Sequence, residues 1–158
     1  MTPKGMTSKR PTGERSGCPI SIALETLGDA WSLLIVRDLM FKGRESFQDF
    51  AKAEEGIATN ILTDRLRRLE AAGIVVKRRD ANDGRRTCYR LTGKGIDLAP
   101  VLTELVVWSA RHHATEAPDE AVAQMVNDRK RFLAQIRREW ERRGKEKPAE
   151  AATSRRGS

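Results

Sequence analysis

The sequence predicts a mainly α-helical fold carrying one small β-hairpin. Three observations point there. Apolar residues recur at three- and four-residue steps through most of the 158-residue chain. The pattern changes once, to the β-formers of "IVVKRRD" and "RRTCYRLT" on either side of "ANDG". Glycine and proline punctuate the helical stretches.

Taken in order, residues 1–17 are rich in Pro, Gly, Ser, Thr and basic side chains and are expected to form a disordered basic arm. "CPISIALETLGD" starts a helix near Pro19 and stops it at Gly28. "AWSLLIVRDLM" (Ala30 to Met40) is strongly apolar and too long for an ordinary strand, so it reads as a core helix. "FKGRE" is a turn. In "SFQDFAKAEEG", Ser46 is the N-cap and Asp49, three residues on, completes a capping-box variant. Phe47, Phe50 and Ala51 give this helix an inner face, and Gly56 ends it. "ATNILTDRLRRLEAAG" follows, with Leu62, Leu66 and Leu69 on one side and Gly73 just past its C-terminus.

Asp83-Gly84 marks the turn of the hairpin. Thr92 caps a helix in "GKGIDLAPVLTELVVWSARHH", which starts near Pro100 or kinks there. After Pro118, residues 118–143 read as one long amphipathic helix, with Val122, Met125, Val126, Phe132, Leu133, Ile136 and Trp140 at helical steps. Residues 144–158 are expected to be a disordered tail. The folded domain is therefore 18–113. Two short helices joined by a tight glycine turn and followed by a basic hairpin describe a winged helix-turn-helix.

Thirty Lys and Arg against twenty-two Asp and Glu leave a net charge of +8, which favours polyanionic partners. No apolar run approaches the roughly 20 residues of a membrane span, and the N-terminus has no apolar core of a secretory signal. The expected location is cytoplasmic, on the nucleoid, with no membrane partner. Cys18 and Cys88 are too few for a disulfide scaffold and should be thiols. No nucleophile elbow, phosphate-binding glycine loop, HExxH or paired apolar-set carboxylates are present, so neither catalysis nor a cofactor is expected. His112 and His113 point about 100° apart on a helix, with no cluster to complete a metal site.

The helix Thr59 to Ala71 carries the functional signal. With Leu62 at the centre of the buried stripe, Asn60, Asp64, Arg67 and Ala71 fall roughly opposite. Thr63 and Arg68 lie on the flanks, and Arg65 lies nearer the core edge. Asn pairs bidentately with adenine and Arg with guanine, while Thr bonds a base edge or touches a thymine methyl. Thr59 is placed to cap the helix and to meet a phosphate. The hairpin adds six basic residues, Lys77, Arg78, Arg79, Arg85, Arg86 and Arg90, against Asp80 and Asp83. A wing tip bearing Arg85 and Arg86 suits the phosphate backbone or the minor groove. The candidate DNA-contacting set is Thr59, Asn60, Thr63, Asp64, Arg65, Arg67, Arg68, Lys77, Arg79, Arg85 and Arg86. The bland alternative is a charged helix and a hairpin that are only solvated.

With these residues in view, the chain resembles the HxlR family of bacterial winged-helix transcription regulators. The motifs that carry the resemblance are "CPISIALETLGDAWSLLIVRDL", "SFQDFAKAEEGIATNILTDRLRRLEAAGIV", the hairpin, and "YRLTGKGIDLAPVLTELVVWSARH", together spanning Cys18 to His112. The resemblance implies a homodimer on a pseudo-palindromic DNA operator, and the chain is read as a repressor rather than an activator. The N-terminal helix and the helix after the wing would form the dimer interface, with Ile20, Ile22, Leu24, Leu102, Leu105, Val106 and Trp108 as candidates. It implies that Thr59, Asn60, Thr63 and Arg67 face DNA, and that Arg65 meets the backbone or forms an internal ion pair. Where family members often read Gly-Lys before the tryptophan, this chain has Asp29-Ala30. The helix after Pro118 exceeds the compact family core.

Cys18 matches the N-terminal cysteine that some members use to sense thiol-reactive signals. The chemistry needs an accessible thiolate, which a helix start and the nearby Arg15 favour; the alternative is a passive helix-start residue. Trp31 and Trp108 are candidates for lining a small-molecule effector pocket between dimer helices or for core packing, and Cys88 for packing. Two rival functions stay open: a protein–protein interaction module, and a thiol redox switch on the same scaffold.

Overall fold

The computed structural model of the chain describes residues 15–80 and 82–146. The arm expected over 1–17 and the tail expected over 144–158 therefore lie mostly outside the described residues.

Helix α1 (Pro19–Leu27) begins after Cys18, with Pro19 in its first turn, and buries none of its nine residues. Helix α2 (Ser32–Arg37) starts where the Asp29 carboxylate accepts from the Trp31 and Ser32 amides at 2.8 and 2.9 Å. It runs on into a π turn (Asp38–Lys42), which Gly43 ends at φ +62°. The expected core helix is thus present with two windings, and Ile35, Val36, Leu39 and Met40 are buried along it.

Helix α3 (Phe47–Ala51) carries both halves of the capping box. The Asp49 amide donates to Ser46 Oγ at 3.1 Å, and the Ser46 amide to Asp49 Oδ2 at 3.0 Å. It is shorter than the pattern suggested, because the chain leaves it in a turn well before Gly56. Helix α4 (Thr59–Ala71) buries Leu62, Leu66 and Leu69, and Gly73 follows at φ +72°. Each such leucine contributes roughly 1.5–3 kcal/mol of burial, so the apolar stripe, and not the polar face, fixes how this helix sits.

Strands β1 (Val75–Arg79) and β2 (Thr87–Leu91) pair antiparallel, Val75 opposite Leu91 and Arg78 opposite Cys88. Val75, Tyr89 and Leu91 join the core. Asp83 and Gly84 lie in the turn of the hairpin, where the Arg86 amide donates to the Asp83 carbonyl at 2.9 Å. The Asp80 amide also donates to the Arg86 carbonyl at 2.9 Å, and Gly84 is not left-handed. The Tyr89 amide also donates to the Glu45 carbonyl at 2.7 Å, and Ser46 bridges Cys88. The entry to α3 is therefore hydrogen-bonded to the wing.

Helix α5 (Gly93–Ile96) is capped by Thr92, and α6 (Ala99–His112) carries Pro100 in its first turn. Beyond Pro118 the single long helix is corrected to two, α7 (Asp119–Asn127) and α8 (Arg129–Glu146), because Asp128 leaves helical geometry at φ −138° and ψ 48°. Helix α8 runs past residue 143 and returns over the domain. Arg129 pairs with Glu104, and Arg137 with Asp97 at 2.5 Å. Phe132 stacks on Phe41, and Trp140 Nε1 donates to the Leu91 carbonyl at 2.9 Å. No single helix among the described residues is long and apolar enough to cross a membrane.

Candidate nucleic-acid interface

The core stripe of α4 turns Asn60, Thr63, Asp64, Arg67, Arg68 and Ala71 outward, and all are exposed. Thr59 is exposed too, but as the first helical residue. Ala58 occupies the cap position and no side chain caps the helix, which corrects the expected role of Thr59. The first-turn amides are thereby left for an external acceptor such as a phosphate. Thr63 Oγ1 donates to the Thr59 carbonyl at 2.8 Å. This holds the threonine in one rotamer with its methyl group free.

Arg65 behaves differently from its neighbours. Its side chain is half-buried, with Nε 3.0 Å from Asp29 Oδ1 and the guanidinium also paired with Asp64. Of the two alternatives for Arg65, the internal ion pair is the one its side chain makes. Burial pushes the Asp29 carboxyl up. The Ser32 hydroxyl, the Trp31 and Ser32 amides and Arg65 outweigh that and hold it at about 2. Asp29 thus starts α2 and anchors α4 together, a role the sequence left unread at the Asp29-Ala30 departure.

Two further devices fix α4. Behind it, Thr92 Oγ1 donates to the Gly73 carbonyl at 2.5 Å and Lys94 Nζ to the Ala72 carbonyl at 2.7 Å. A side chain at Gly95 would put a Cβ 2.2 Å from the Ile74 carbonyl oxygen. The "LTGKG" run is therefore a clamp on the end of α4. Below it, buried Asp38 pairs with Arg37 at 2.6 Å and with Arg44 at 3.3 Å. Those arginines reach Glu55 and Glu54 in the turn before α4. Glu55 and the buried Asp38 carboxylate keep the Arg37 guanidinium firmly charged.

On the wing, Lys77, Arg79, Arg85 and Arg86 are exposed. The two acidic residues of the tip are structural. Asp83 Oδ1 accepts from the Arg85 amide at 3.0 Å, and Asp80 Oδ1 from the Asn82 amide at 2.8 Å. Holding the tip through its acids leaves the arginines outward. Arg78 and Arg90, in contrast, are half-buried beneath α8.

Cys18 is exposed at the start of α1. The amides of Ser21 and Ile20 pull its thiol below the ordinary value. Arg15, expected to assist, is instead bound to Glu25 at 2.5 Å. Ile20, Ile22 and Leu24 on α1 and Leu105 and Trp108 on α6 are all exposed, Ile20 by 70% and Trp108 by 56%. Val106 is half-buried. Leu102 is a correction: it is 6% exposed and packs in the protomer's own core, so it offers nothing to a partner. Val101 is exposed one turn before Leu105 and extends the same stripe; its i−4 spacing was the signal. Trp108 lies against His112 and His113, and Trp31 packs on the core.

The HxlR-like helix-turn-helix family model matches residues 26–117. An HTH-type transcriptional regulator of Synechocystis sp. is 38% identical over 85 residues, 54% of this chain and 62% of that protein. The chain thus spans less than two thirds of that relative. Among solved structures, PA1607, a candidate transcription factor, is 37% identical with a TM-score of 0.59, covering 67% of this chain and 72% of the other. The oxidised form of the redox regulator HypR is 27% identical with a TM-score of 0.55, covering 62% of this chain and all of the other.

Proposed function

The chain belongs to the HxlR-like helix-turn-helix family of transcriptional regulators, and on that premise we propose that it is a homodimeric repressor that reads a pseudo-palindromic operator. The observation that carries this reading is the outward face of α4, where Asn60, Thr63 and Arg67 stand exposed while Arg65 is tied back to Asp29. Arg67 supplies paired donors for a guanine edge, Asn60 one donor and one acceptor for an adenine edge, and Thr63 a methyl group. Thr59, Asp64 and Arg68 flank them. Lys77, Arg79, Arg85 and Arg86 place the wing on the neighbouring phosphates.

The unburied α1 and the exposed stripe Val101, Leu105 and Trp108 support dimerisation. Apolar surface of this kind gains free energy from a second copy. Two-fold symmetry then spaces the two α4 helices about 34–36 Å apart, one turn of DNA. The protein acts in the cytoplasm. The exposed, acidified Cys18 thiol favours a thiol-reactive signal as the input, in line with the redox regulator among the similar structures.

Selection of bound duplexes from a random pool tests this reading. Enrichment of an inverted repeat, with dimer mass in light scattering, is expected. A pool with no enriched motif would count against operator reading and favour a protein-binding role for the same helices.

A further inference from the structure

Helix α8 lies beyond the family match, packs Leu133, Ile136 and Trp140 against the core beside the wing, and encloses a cleft of about 50 Å³ with the π turn and β2. Three features of this cleft are unusual. Its guanidiniums, Arg78, Arg79, Arg90 and Arg143, outnumber its carboxylates, Glu45 and Glu139, and Glu139 already accepts from Arg142 and Arg143. Arg90 is half-buried, over the Trp140 ring at 5.3 Å and donating to the Trp140 carbonyl at 2.5 Å. Burial, and the charge of Arg78 beside it, hold the Arg90 guanidinium below its usual range. The third feature is a π turn in the wall, a winding that costs backbone geometry and recurs at functional sites.

We propose that this cleft binds a short-chain organic monocarboxylate, its carboxylate on Arg78 and Arg90 and its carbon chain against Leu39, Met40 and Trp140. An anion relieves the surplus of positive charge, and guanidiniums grip a carboxylate through paired hydrogen bonds. The apolar remainder of the lining selects a carboxylate with a hydrocarbon tail over a fully hydrated inorganic anion. The enclosed part of the cleft is about a third of the ~150 Å³ that admits benzene, which is room for the carboxylate head, and the carbon chain lies along the open apolar mouth. Because β2 forms one wall and α8 the other, the occupied cleft shifts the wing relative to α4. This coupling rests on the regulator reading above.

Binding is measured first without DNA. The full-length protein is titrated with butyrate, with its neutral isostere butyramide, and with inorganic phosphate, following tryptophan fluorescence and the thermal midpoint. Saturable butyrate binding, with the other two at least about tenfold weaker, is expected. Arg90→Lys and Arg78→Gln should each weaken butyrate at least about fivefold. Arg78→Gln leaves the Arg90–Trp140 stack intact and guards against misfolding. Equal binding of butyramide or phosphate, no saturation at millimolar butyrate, or indifference to both substitutions overturns the site. Operator affinity is then measured with and without butyrate. A change is expected; tight butyrate binding with unchanged operator affinity overturns the coupling. Absence of operator binding both with and without butyrate would instead tell against the regulator reading.

Discussion

Asp29 Oδ1 lies 3.0 Å from Arg65 Nε, so one carboxylate both opens α2 and fastens the helix proposed to read DNA. The pair has a pH signature. The Asp29 carboxyl is held at about 2 against an ordinary 3.8. A depressed folded-state value contributes stability that is complete above pH ~4 and is lost as pH falls toward ~2. Asp29→Asn should cost about 1–2 kcal/mol at neutral pH and flatten the acid limb of urea midpoints between those values. Parallel acid limbs for the two proteins would show that Asp29 carries no such load.

Gly95 predicts a steric effect. With a Cβ 2.2 Å from the Ile74 carbonyl, Gly95→Ala must push α5 off the end of α4. A loss of about 1–3 kcal/mol in chemical denaturation is expected, with weakened operator binding. Thr92→Val, which removes both the cap and the clamp, should act in the same direction. A Gly95→Ala protein of unchanged stability would mean that the two segments yield freely.

How far the sequence reached follows from these contacts. The stripe Leu62, Leu66 and Leu69, the Ser46–Asp49 box, Gly73 and the hairpin are local patterns, and each formed as read. The misses are long-range or depend on a single dihedral. Arg65 and Asp29 are thirty-six positions apart, and nothing near either names the other. The break at Asp128 lies in an unbroken amphipathic pattern with no glycine or proline. Leu102 shares its helix with exposed Leu105 and Trp108, and only the packing of the protomer separates its face from theirs.

The wing makes a distinct prediction about salt. If Arg85 and Arg86 each displace a counterion from DNA, the double substitution to alanine should reduce the slope of log affinity against log salt by about 2. It should leave the preference among sequences almost unchanged. An unaltered slope would remove the wing tip from the interface.

Cys18 predicts a difference in reactivity. Exposed at a helix start and acidified by the Ser21 and Ile20 amides, it should alkylate with iodoacetamide near neutral pH faster than half-buried Cys88. Cys18→Ser should abolish any response of operator affinity to quinone or hypochlorite. A response that survives in Cys18→Ser assigns sensing elsewhere.

The central claim is that α4 reads sequence through Arg67 and its neighbours. Fluorescence anisotropy tests it most directly, comparing the DNA upstream of the protein's own coding sequence with a scrambled duplex across a salt series, for wild type and Arg67→Ala. The account predicts nanomolar affinity for the native duplex, falling as salt rises, and a preference over scrambled DNA that shrinks by about 1–3 kcal/mol in Arg67→Ala. Equal, weak binding of both duplexes, unaffected by Arg67→Ala, would contradict it.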